Sequence, residues 1–163
     1  MSAPDLTIRS ITSDDSDYVA AIAAEYFGSS RVVSRGRLHQ VETLPGFVAM
    51  LGNDRVGLLQ FEVRNHELEV VILVSQLAGA GVGRCLLEQS VDHARHLEDL
   101  SRCWLITTNN NHNAINFYQH VGWELKATHH GAVNDARKLK PEIPLHDDRG
   151  VAIEDELEFE RLI

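Results

Sequence analysis

Residues 68–84 read LEVVILVSQLAGAGVGR, and they decide how the rest of the chain is interpreted. The first seven residues end in a nearly continuous apolar run, which is typical of a strand buried on both faces. Glycines alternate at positions 79, 81 and 83, and apolar residues then recur at helical spacing from Val82 to Leu97. The stretch therefore predicts a buried strand, a glycine-rich loop and an amphipathic helix in that order.

Further strands and helices are predicted on both sides of this unit. Before it we predict a strand over 6–11, a helix that ends at Gly28, and hairpin strands over 47–51 and 56–63. After it we predict strands over 103–108, 123–127 and 153–162 and helices over 114–121 and 133–139. The polar stretch 29–43 is expected to form a second helix or a mobile loop. This order indicates a mixed α/β fold with one central sheet.

Composition and charge predict one acidic globular domain over residues 1–163. The chain has 24 Asp and Glu against 15 Lys and Arg, a net charge of −9, whereas nucleic-acid binding through counterion release needs clustered basic residues. No apolar run approaches the roughly 20 residues of a membrane-spanning helix. The two cysteines, Cys85 and Cys103, form no CxxC pair. We therefore expect a reduced, cytoplasmic protein without nucleic-acid or membrane partners.

The glycine loop has the chemistry of an anion cradle, because successive backbone N–H groups at a helix N-terminus attract phosphate. Two nucleotide-binding patterns do not fit it. A Walker loop requires Lys-Ser/Thr where Arg84-Cys85 stands, and a dinucleotide-binding fold requires a third glycine at position 84. A tight strand–helix turn without a ligand is the structural alternative.

A second motif, NHNAINFYQHVGW, occupies residues 111–123. With the glycine loop it resembles the GNAT superfamily of N-acetyltransferases, whose signatures are Arg/Gln-x-x-Gly-x-Gly/Ala and N-x-x-A-x-x-F-Y-x-x-x-G-F. Gly81 and Gly83 match the last two positions of the first signature, but Ala78 replaces Arg or Gln, and Trp123 replaces the final Phe of the second. The resemblance implies a single GNAT-like domain whose central, mostly antiparallel sheet is splayed and flanked by helices.

The resemblance also implies acetyl-CoA as the co-substrate. Its pyrophosphate would bind the amides of the glycine loop, and its pantetheine arm would pair like an added strand with the backbone near Leu73 and Val74. Asn111 matches a family residue that hydrogen-bonds this arm, although its position also suits a helix N-cap. The cofactor-binding residues implied are Leu73, Val74, Gly79, Ala80, Gly81, Val82, Gly83, Arg84, Asn111 and Tyr118.

Three further residues are candidates for the catalytic proton transfers. By resemblance, Tyr118 is the general acid that protonates the departing thiolate; the alternative is a core aromatic. Glu67 and Glu69 share one side of the predicted strand and are candidate bases for the attacking amine. By resemblance, Glu67 aligns best with the acidic position common in the family. A bulge would change which of them faces the cleft, and a solvated pair of carboxylates is the alternative. Glu62 is a weaker candidate.

The implied activity is direct transfer of acetyl from acetyl-CoA to a primary amine of a small molecule or peptide. A non-catalytic acyl-CoA sensor or interaction module on the same fold is the alternative, because Ala78 departs from the signature. A homodimer and the identity of the acceptor stay open.

Clustered ionisable residues elsewhere give weaker signals. The nine histidines show no metal-ligand spacing with acidic residues or cysteines, so no metal site is predicted. Glu154, Glu156, Glu158 and Glu160 share one face of the last predicted strand, where charge would protect a sheet edge or recruit a cationic amine. The basic stretch 129–144 would line the cofactor mouth, touch the substrate or join a subunit interface.

Overall fold

The computed structural model describes residues 5–163, which form a seven-stranded sheet, a separate two-stranded hairpin and four α-helices. The strands are β1 (Leu6–Ser10), β2 (Arg31–Ser34), β3 (Arg37–Gln40), β4 (Gly46–Leu51), β5 (Asp54–Arg64), β6 (Glu67–Ser75), β7 (Arg102–Thr108), β8 (Glu124–His129) and β9 (Glu156–Leu162). The helices are α1 (Ser16–Phe27), α2 (Val82–Arg95), α3 (His112–His120) and α4 (Ala132–Leu139), with short 3-10 turns at Ser13–Asp15 and Val41–Thr43.

The sheet runs in the order β1-β4-β5-β6-β7-β9-β8, and every neighbouring pair is antiparallel except β6–β7. The predicted mixed α/β fold with a mostly antiparallel central sheet is confirmed. Within residues 5–163, each helix is too short or too polar to cross a membrane.

Local turn chemistry explains the predicted hairpin that joins β5 to β6. Asn65 and His66 have φ angles of 56° and 62°, the left-handed pair that a two-residue type I′ turn requires. The end of α1 follows a similar rule, because Gly28 adopts φ 78° directly after the helix. Both boundaries were therefore readable from the sequence.

A β-bulge in β6 decides which side chains face each layer of the protein. Gln60 pairs with Ile72 but Phe61 pairs with Val70, so Val71 is an extra residue in the strand. Because a one-residue shift reverses the facing of every later side chain, Val70 packs in the cluster with α2, whereas Ile72 packs in the cluster with α1. The strand is buried on both faces, as its apolar run predicts.

β6 and β7 pair over only four residues and then separate. Their parallel register runs from Glu67↔Arg102 to Val70↔Leu105. Beyond it, the edge of β6 from Val71 to Ser75 has no strand partner on the β7 side among the described residues. The sheet is splayed at this point, and the opening faces the glycine loop that follows β6.

The stretch 29–43 was predicted wrongly as a helix or mobile loop. It contains the β2–β3 hairpin, whose turn residues Arg35 and Gly36 have φ angles of 46° and 73°. Buried Ser34 and His39 lie on this hairpin. Polar residues at buried positions hid the alternating pattern of the strands, and the Gly36 turn was the remaining signal.

The edge-protection interpretation of the C-terminal glutamates is also wrong. β9 lies inside the sheet between β7 and β8, and Glu156 and Glu158 are buried. Local periodicity predicts that a segment is a strand but not which strands it pairs with. The edge position of β8 and the internal position of β9 therefore could not be read from the sequence. Glu156 and Glu158 therefore lie inside the fold, where they accept hydrogen bonds from Arg35 and Arg102.

Arg102 joins three strands at the closed end of the splay. Its Nη1 donates to Glu158 Oε2 at 2.7 Å and to Glu160 Oε1 at 3.0 Å, and its Nε donates to Glu67. Burial acts to raise the pKa of Glu158, but hydrogen bonds from Arg102 and His129 outweigh it and hold that pKa below its usual value. These contacts tie β6, β7 and β9 together where the pairing ends.

We expect Arg102→Gln to destabilise the fold in a pH-dependent way. Three carboxylates would lose their shared cation, which costs about 2 kcal/mol at pH 7 for a partly exposed network. A carboxyl group whose pKa is lower in the folded state stabilises the fold at pH values above its unfolded-state pKa. This stabilisation is lost as pH falls, so the difference in stability between the variant and the wild type should shrink below about pH 4. Thermal unfolding from pH 3.5 to 8 measures this.

Arg31→Gln is the matched control, because Arg31 pairs with Glu142 at 3.2 Å in an exposed position. Such a pair contributes about 0–1 kcal/mol. Equal losses of stability in both variants, or a loss in Arg102→Gln that does not change with pH, would contradict the proposed role of Arg102.

Candidate active site

The separation of β6 and β7 opens a cleft of about 620 Å³. Its walls come from the end of α1, strand β2, the diverging parts of β6 and β7, and the segment after α4. The residues that line it include Tyr26, Phe27, Val32, Ser34, Glu69, Val71, Thr107, Asn111, Ile143 and Glu156. The cleft is therefore mostly apolar, with three carboxylates in its wall, those of Glu69, Glu142 and Glu156.

Glu69 is the buried carboxylate of this cleft that lies on β6. It alternates with Leu68 and Val70, so its side chain points away from the α2 layer and toward the β2–β3 hairpin, where Ser34 Oγ donates a hydrogen bond to it. Burial raises the pKa of Glu69 to about 7, and the hydrogen bond from Ser34 opposes the shift only in part. A carboxylate with this pKa can accept a proton at neutral pH.

Glu67, the other predicted base, does not line the cleft. Its carboxylate pairs with Arg102 at the closed end of the splay, and the bulge at Val71 lies beyond both glutamates. The resemblance favoured Glu67, but the structure places Glu69 in the cleft wall and Glu67 against Arg102. Glu62 lies on β5, where Arg37 binds it through two hydrogen bonds of 2.6 and 3.0 Å.

His39 stands between Glu62 and Glu69. Its Nδ1 is 3.2 Å from Glu62 Oε2, and its Nε2 is 3.6 Å from Glu69 Oε1. Each of these three side chains presents one possible metal-ligand atom, and the three atoms lie within 4.8 Å of one another. The cluster carries no signal in sequence spacing, because its members lie on three different strands.

The glycine loop lies between the end of β6 and the start of α2. Gly79 and Gly81 both have φ 75°, and a Cβ on either would meet open space. At Gly83 a Cβ would approach Phe117 Cζ to 3.0 Å, so this glycine allows α3 to pack closely on the first turn of α2. The loop therefore presents an accessible helix N-terminus beside α3.

Two predicted residues on α3 have different surroundings. Asn111 is the N-cap of α3, where its side chain accepts a hydrogen bond from Ala114 N at 3.2 Å, and it also lines the cleft. Tyr118 packs between Phe117 and Phe159 with ring centroids 5.6 Å apart in each pair. Tyr118 is buried outside the cleft lining, and burial raises its pKa to about 12.

Comparison with known proteins identifies the family. The sequence pattern of the acetyltransferase (GNAT) family matches residues 14–123. The chain belongs to the GNAT family. The uncharacterized protein YdhI of Bacillus subtilis is 34% identical over 141 residues, which cover 86% of this chain and 88% of YdhI.

Solved GNAT structures share the fold at low sequence identity. A Bacillus subtilis acetyltransferase solved in complex with CoA has a TM-score of 0.69 at 18% identity, covering 98% of this chain and 99% of that chain. The ribosomal-protein-S18-alanine N-acetyltransferase of Escherichia coli has a TM-score of 0.68 at 16% identity, covering 98% and 94% of the two chains. The fold expected from the resemblance to the GNAT superfamily is confirmed.

Two ionisable residues of this cleft come from groups that the sequence left without a single assigned role. Glu156, 2% exposed, accepts hydrogen bonds from the backbone N of Arg35 at 3.2 Å and from its guanidinium at 3.4 Å. Lys140 donates to Phe27 O at 2.6 Å and Arg31 O at 2.7 Å, and burial lowers its pKa. Part of the basic stretch 129–144 therefore lines the cleft.

We expect Glu69→Gln to make the fold more stable at alkaline pH. The folded-state pKa of about 7 lies above the usual glutamate value of 4.5. The wild type therefore loses stability as pH rises between those values, and the neutral amide avoids this loss. The variant should gain about 2–3 kcal/mol at pH 8.5 and little at pH 4. Denaturant unfolding at both pH values measures the difference.

Glu124→Gln, which replaces an exposed glutamate of β8, is the control. It should follow the wild type at every pH. A Glu69→Gln stability curve parallel to wild type would mean that the Glu69 carboxyl titrates as an ordinary exposed group.

Proposed function

We propose that this GNAT protein transfers an acetyl group from acetyl-CoA to a primary amine by direct attack in a ternary complex. The observation that carries the proposal is Glu69, a buried carboxylate in the cleft with a pKa near 7. An amine that binds as an ammonium ion must lose a proton before it can attack a thioester. A base with this pKa suits that step at neutral pH.

The proposed cofactor site begins at the glycine loop. The first turn of α2 offers backbone N–H groups and the positive end of a helix dipole to the pyrophosphate. Open space above Gly79 and Gly81 leaves room for the phosphates, and Arg84 adds an exposed cation in the first turn. These features keep the loop suited to a pyrophosphate although Ala78 replaces the family's Arg or Gln.

The pantetheine arm is proposed to extend along β6. The edge of this strand from Val71 to Ser75 lacks a strand partner on the β7 side in the described chain, so its N–H and C=O groups are available for β-augmentation. The thioester would then reach the cleft wall near Asn111 and Thr107. A backbone N–H near Val74 is the proposed donor to the carbonyl oxygen.

The proposed chemistry requires two proton transfers and one exchange of bonds. Glu69 takes a proton from the ammonium group, the freed amine nitrogen bonds to the carbonyl carbon, and the C–S bond breaks with its electron pair on sulfur. By the family resemblance, Tyr118 supplies the proton that converts the thiolate to CoA thiol; its ring packs between Phe117 and Phe159 behind the cleft lining, so this step requires the sulfur to be seated beside α3. With a pKa near 12 the phenol stays protonated at neutral pH, so it is available as a donor.

We expect acetyl-CoA to raise the unfolding temperature of the protein, whereas ATP and NAD should not. At 100 times its dissociation constant a ligand adds about 2.7 kcal/mol, which corresponds to about 5–10 °C for a chain of this size. Gly83→Val should abolish the shift, because its side chain would enter the space of Phe117. Cys85→Ser, an exposed change on the same turn, should preserve it.

We expect Glu69→Gln to lower kcat/KM by about 100-fold, the contribution of a general base. Thiol release from acetyl-CoA measures it with spermidine, tyramine, glycinamide and a hexapeptide bearing an N-terminal alanine. Glu67→Gln should change the rate less than tenfold, because Arg102 holds that carboxylate away from the cleft. Tyr118→Phe should lower kcat while acetyl-CoA still binds.

The two measurements together separate an enzyme from a binding module. An acetyl-CoA shift without thiol release for any amine would favour the acyl-CoA sensor. A thermal shift with ATP or NAD but none with acetyl-CoA would contradict the proposed donor. Full activity in Glu69→Gln would contradict the proposed base.

A further inference from the structure

Three side chains converge where the β2–β3 hairpin covers the sheet. His39 comes from β3, Glu62 from β5 and Glu69 from β6, and both glutamates lie within 4 Å of the His39 ring. The His39 ring is buried, the Glu69 side chain is 6% exposed, and the Glu62 side chain is 22% exposed. The three groups therefore form a path from the cleft wall toward solvent.

Two carboxylates lie beside the two ring nitrogens of His39. Nδ1 is 3.2 Å from Glu62 Oε2, and because a carboxylate only accepts, a proton can pass from the ring to Glu62 only when Nδ1 carries it. Ser34 Oγ, 3.4 Å from His39 Nε2, gives its proton to Glu69 Oε2. In the tautomer with its proton on Nδ1, Nε2 can share one proton with Glu69 Oε1, which is 3.6 Å away.

We propose that His39 and Glu62 form the exit path by which the proton taken up by Glu69 reaches solvent. The inference rests on the proposed role of Glu69 as the base of the acetyl transfer. The amine proton moves to Glu69, Glu69 passes it to His39 Nε2, and His39 releases its Nδ1 proton to Glu62 Oε2, which passes it to water. Proton exchange through Glu62 and the open cleft restores the starting tautomer between turnovers.

The two contacts of the His39 ring suit a proton relay in which the longer contact, to Glu69, shortens during turnover. The 3.6 Å between Nε2 and Glu69 Oε1 is longer than a hydrogen bond. Closing it requires a shift of roughly half an ångström, which is within ordinary side-chain motion. The 3.2 Å contact on the other side of the ring already has hydrogen-bond length.

Charges around the cluster favour release toward Glu62. Arg37 on β3 hydrogen-bonds Glu62 and holds its pKa below the usual value, so Glu62 gives up a proton readily. Burial lowers the pKa of His39, although Glu62 opposes the shift and Arg37 and Arg64 add to it. Burial, Glu62 and Glu156 on β9 raise the pKa of Glu69. Glu69 accordingly binds and releases a proton near neutral pH, and its deprotonated form takes the proton of the ammonium group.

The first test follows the His39 ring by ¹⁵N NMR of histidine-labelled protein without substrate. In the wild type we expect a change in its ring nitrogen shifts with a midpoint near pH 7, when the shared proton leaves. Glu69→Gln should remove that step, and Glu62→Gln should keep it. If the step is missing in the wild type or persists in Glu69→Gln, no proton is shared and the relay is overturned.

The second test measures turnover with the fastest amine of the panel above. His39→Ala should lower kcat/KM at least tenfold, and 100 mM imidazole should restore activity by replacing the missing ring. Glu62→Gln keeps a hydrogen-bond acceptor but cannot take a proton at neutral pH, so it should slow turnover without responding to imidazole. His93→Ala removes a histidine that packs on Phe47 and Phe61, and it should resemble wild type.

The outcomes separate the relay from the proposed function. Normal turnover in His39→Ala, or a loss that imidazole does not restore, overturns the relay and leaves Glu69 as the base. If no amine yields thiol release, the proposed function fails and the relay with it, whatever the NMR shows. Turnover that depends on both Glu69 and His39, with imidazole rescue, supports the relay.

Discussion

The short parallel pairing between β6 and β7 is the constraint on which the rest of the structure depends. Four residue pairs hold the strands together, and Arg102 reinforces their closed end by joining carboxylates from β6 and β9. Beyond Val70 the strands diverge, which creates both an unpaired strand edge and a cleft. A sheet that paired fully along β6 would have neither. The bulge at Val71 coincides with this divergence and places Ile72 and Val74 toward α1, while Leu73 faces the α2 layer.

A second organising feature is the difference in partners among the carboxylates of the sheet. Glu67 and Glu158 share the Arg102 cation, and Glu156 receives hydrogen bonds from Arg35. Glu69 is different, because its near partners are a hydroxyl group and an imidazole ring. A carboxyl group with such partners holds its proton more tightly than one beside an arginine. Position along β6, rather than residue type, thus distinguishes a structural glutamate from a candidate base.

Local signals explain which parts of the fold could be predicted. The alternating glycines, the apolar run of β6 and the left-handed turn at Asn65 and His66 act within a few residues, so they could be read from the sequence. The placement of β9 between β7 and β8 depends on long-range pairing. The β2–β3 hairpin buries Ser34 and His39 at positions that apolar residues usually occupy, so its periodicity was hidden.

The residues of the candidate site also differ in whether local sequence signals could reveal them. The glycine loop and Tyr118 lie in contiguous motifs, whereas His39 meets Glu69 only because three strands bring them together. Spacing in the sequence could not distinguish Glu67 from Glu69, because both lie on one side of β6 and only the position of Arg102 separates their surroundings.

The segment after α4 has a property that bears on how related proteins diverge. Arg137 holds it by donating to Pro144 O and Ile153 O, and Lys140 fixes its start to the main-chain oxygens of Phe27 and Arg31. All four acceptors are backbone carbonyls, which every amino acid possesses. Residues 141–146 can therefore change their side chains while this part of the path is kept, whereas Asp147 holds the following turn through its carboxylate. Because residues 142–144 line the cleft, substitutions here can reshape the cleft wall without disturbing the central sheet.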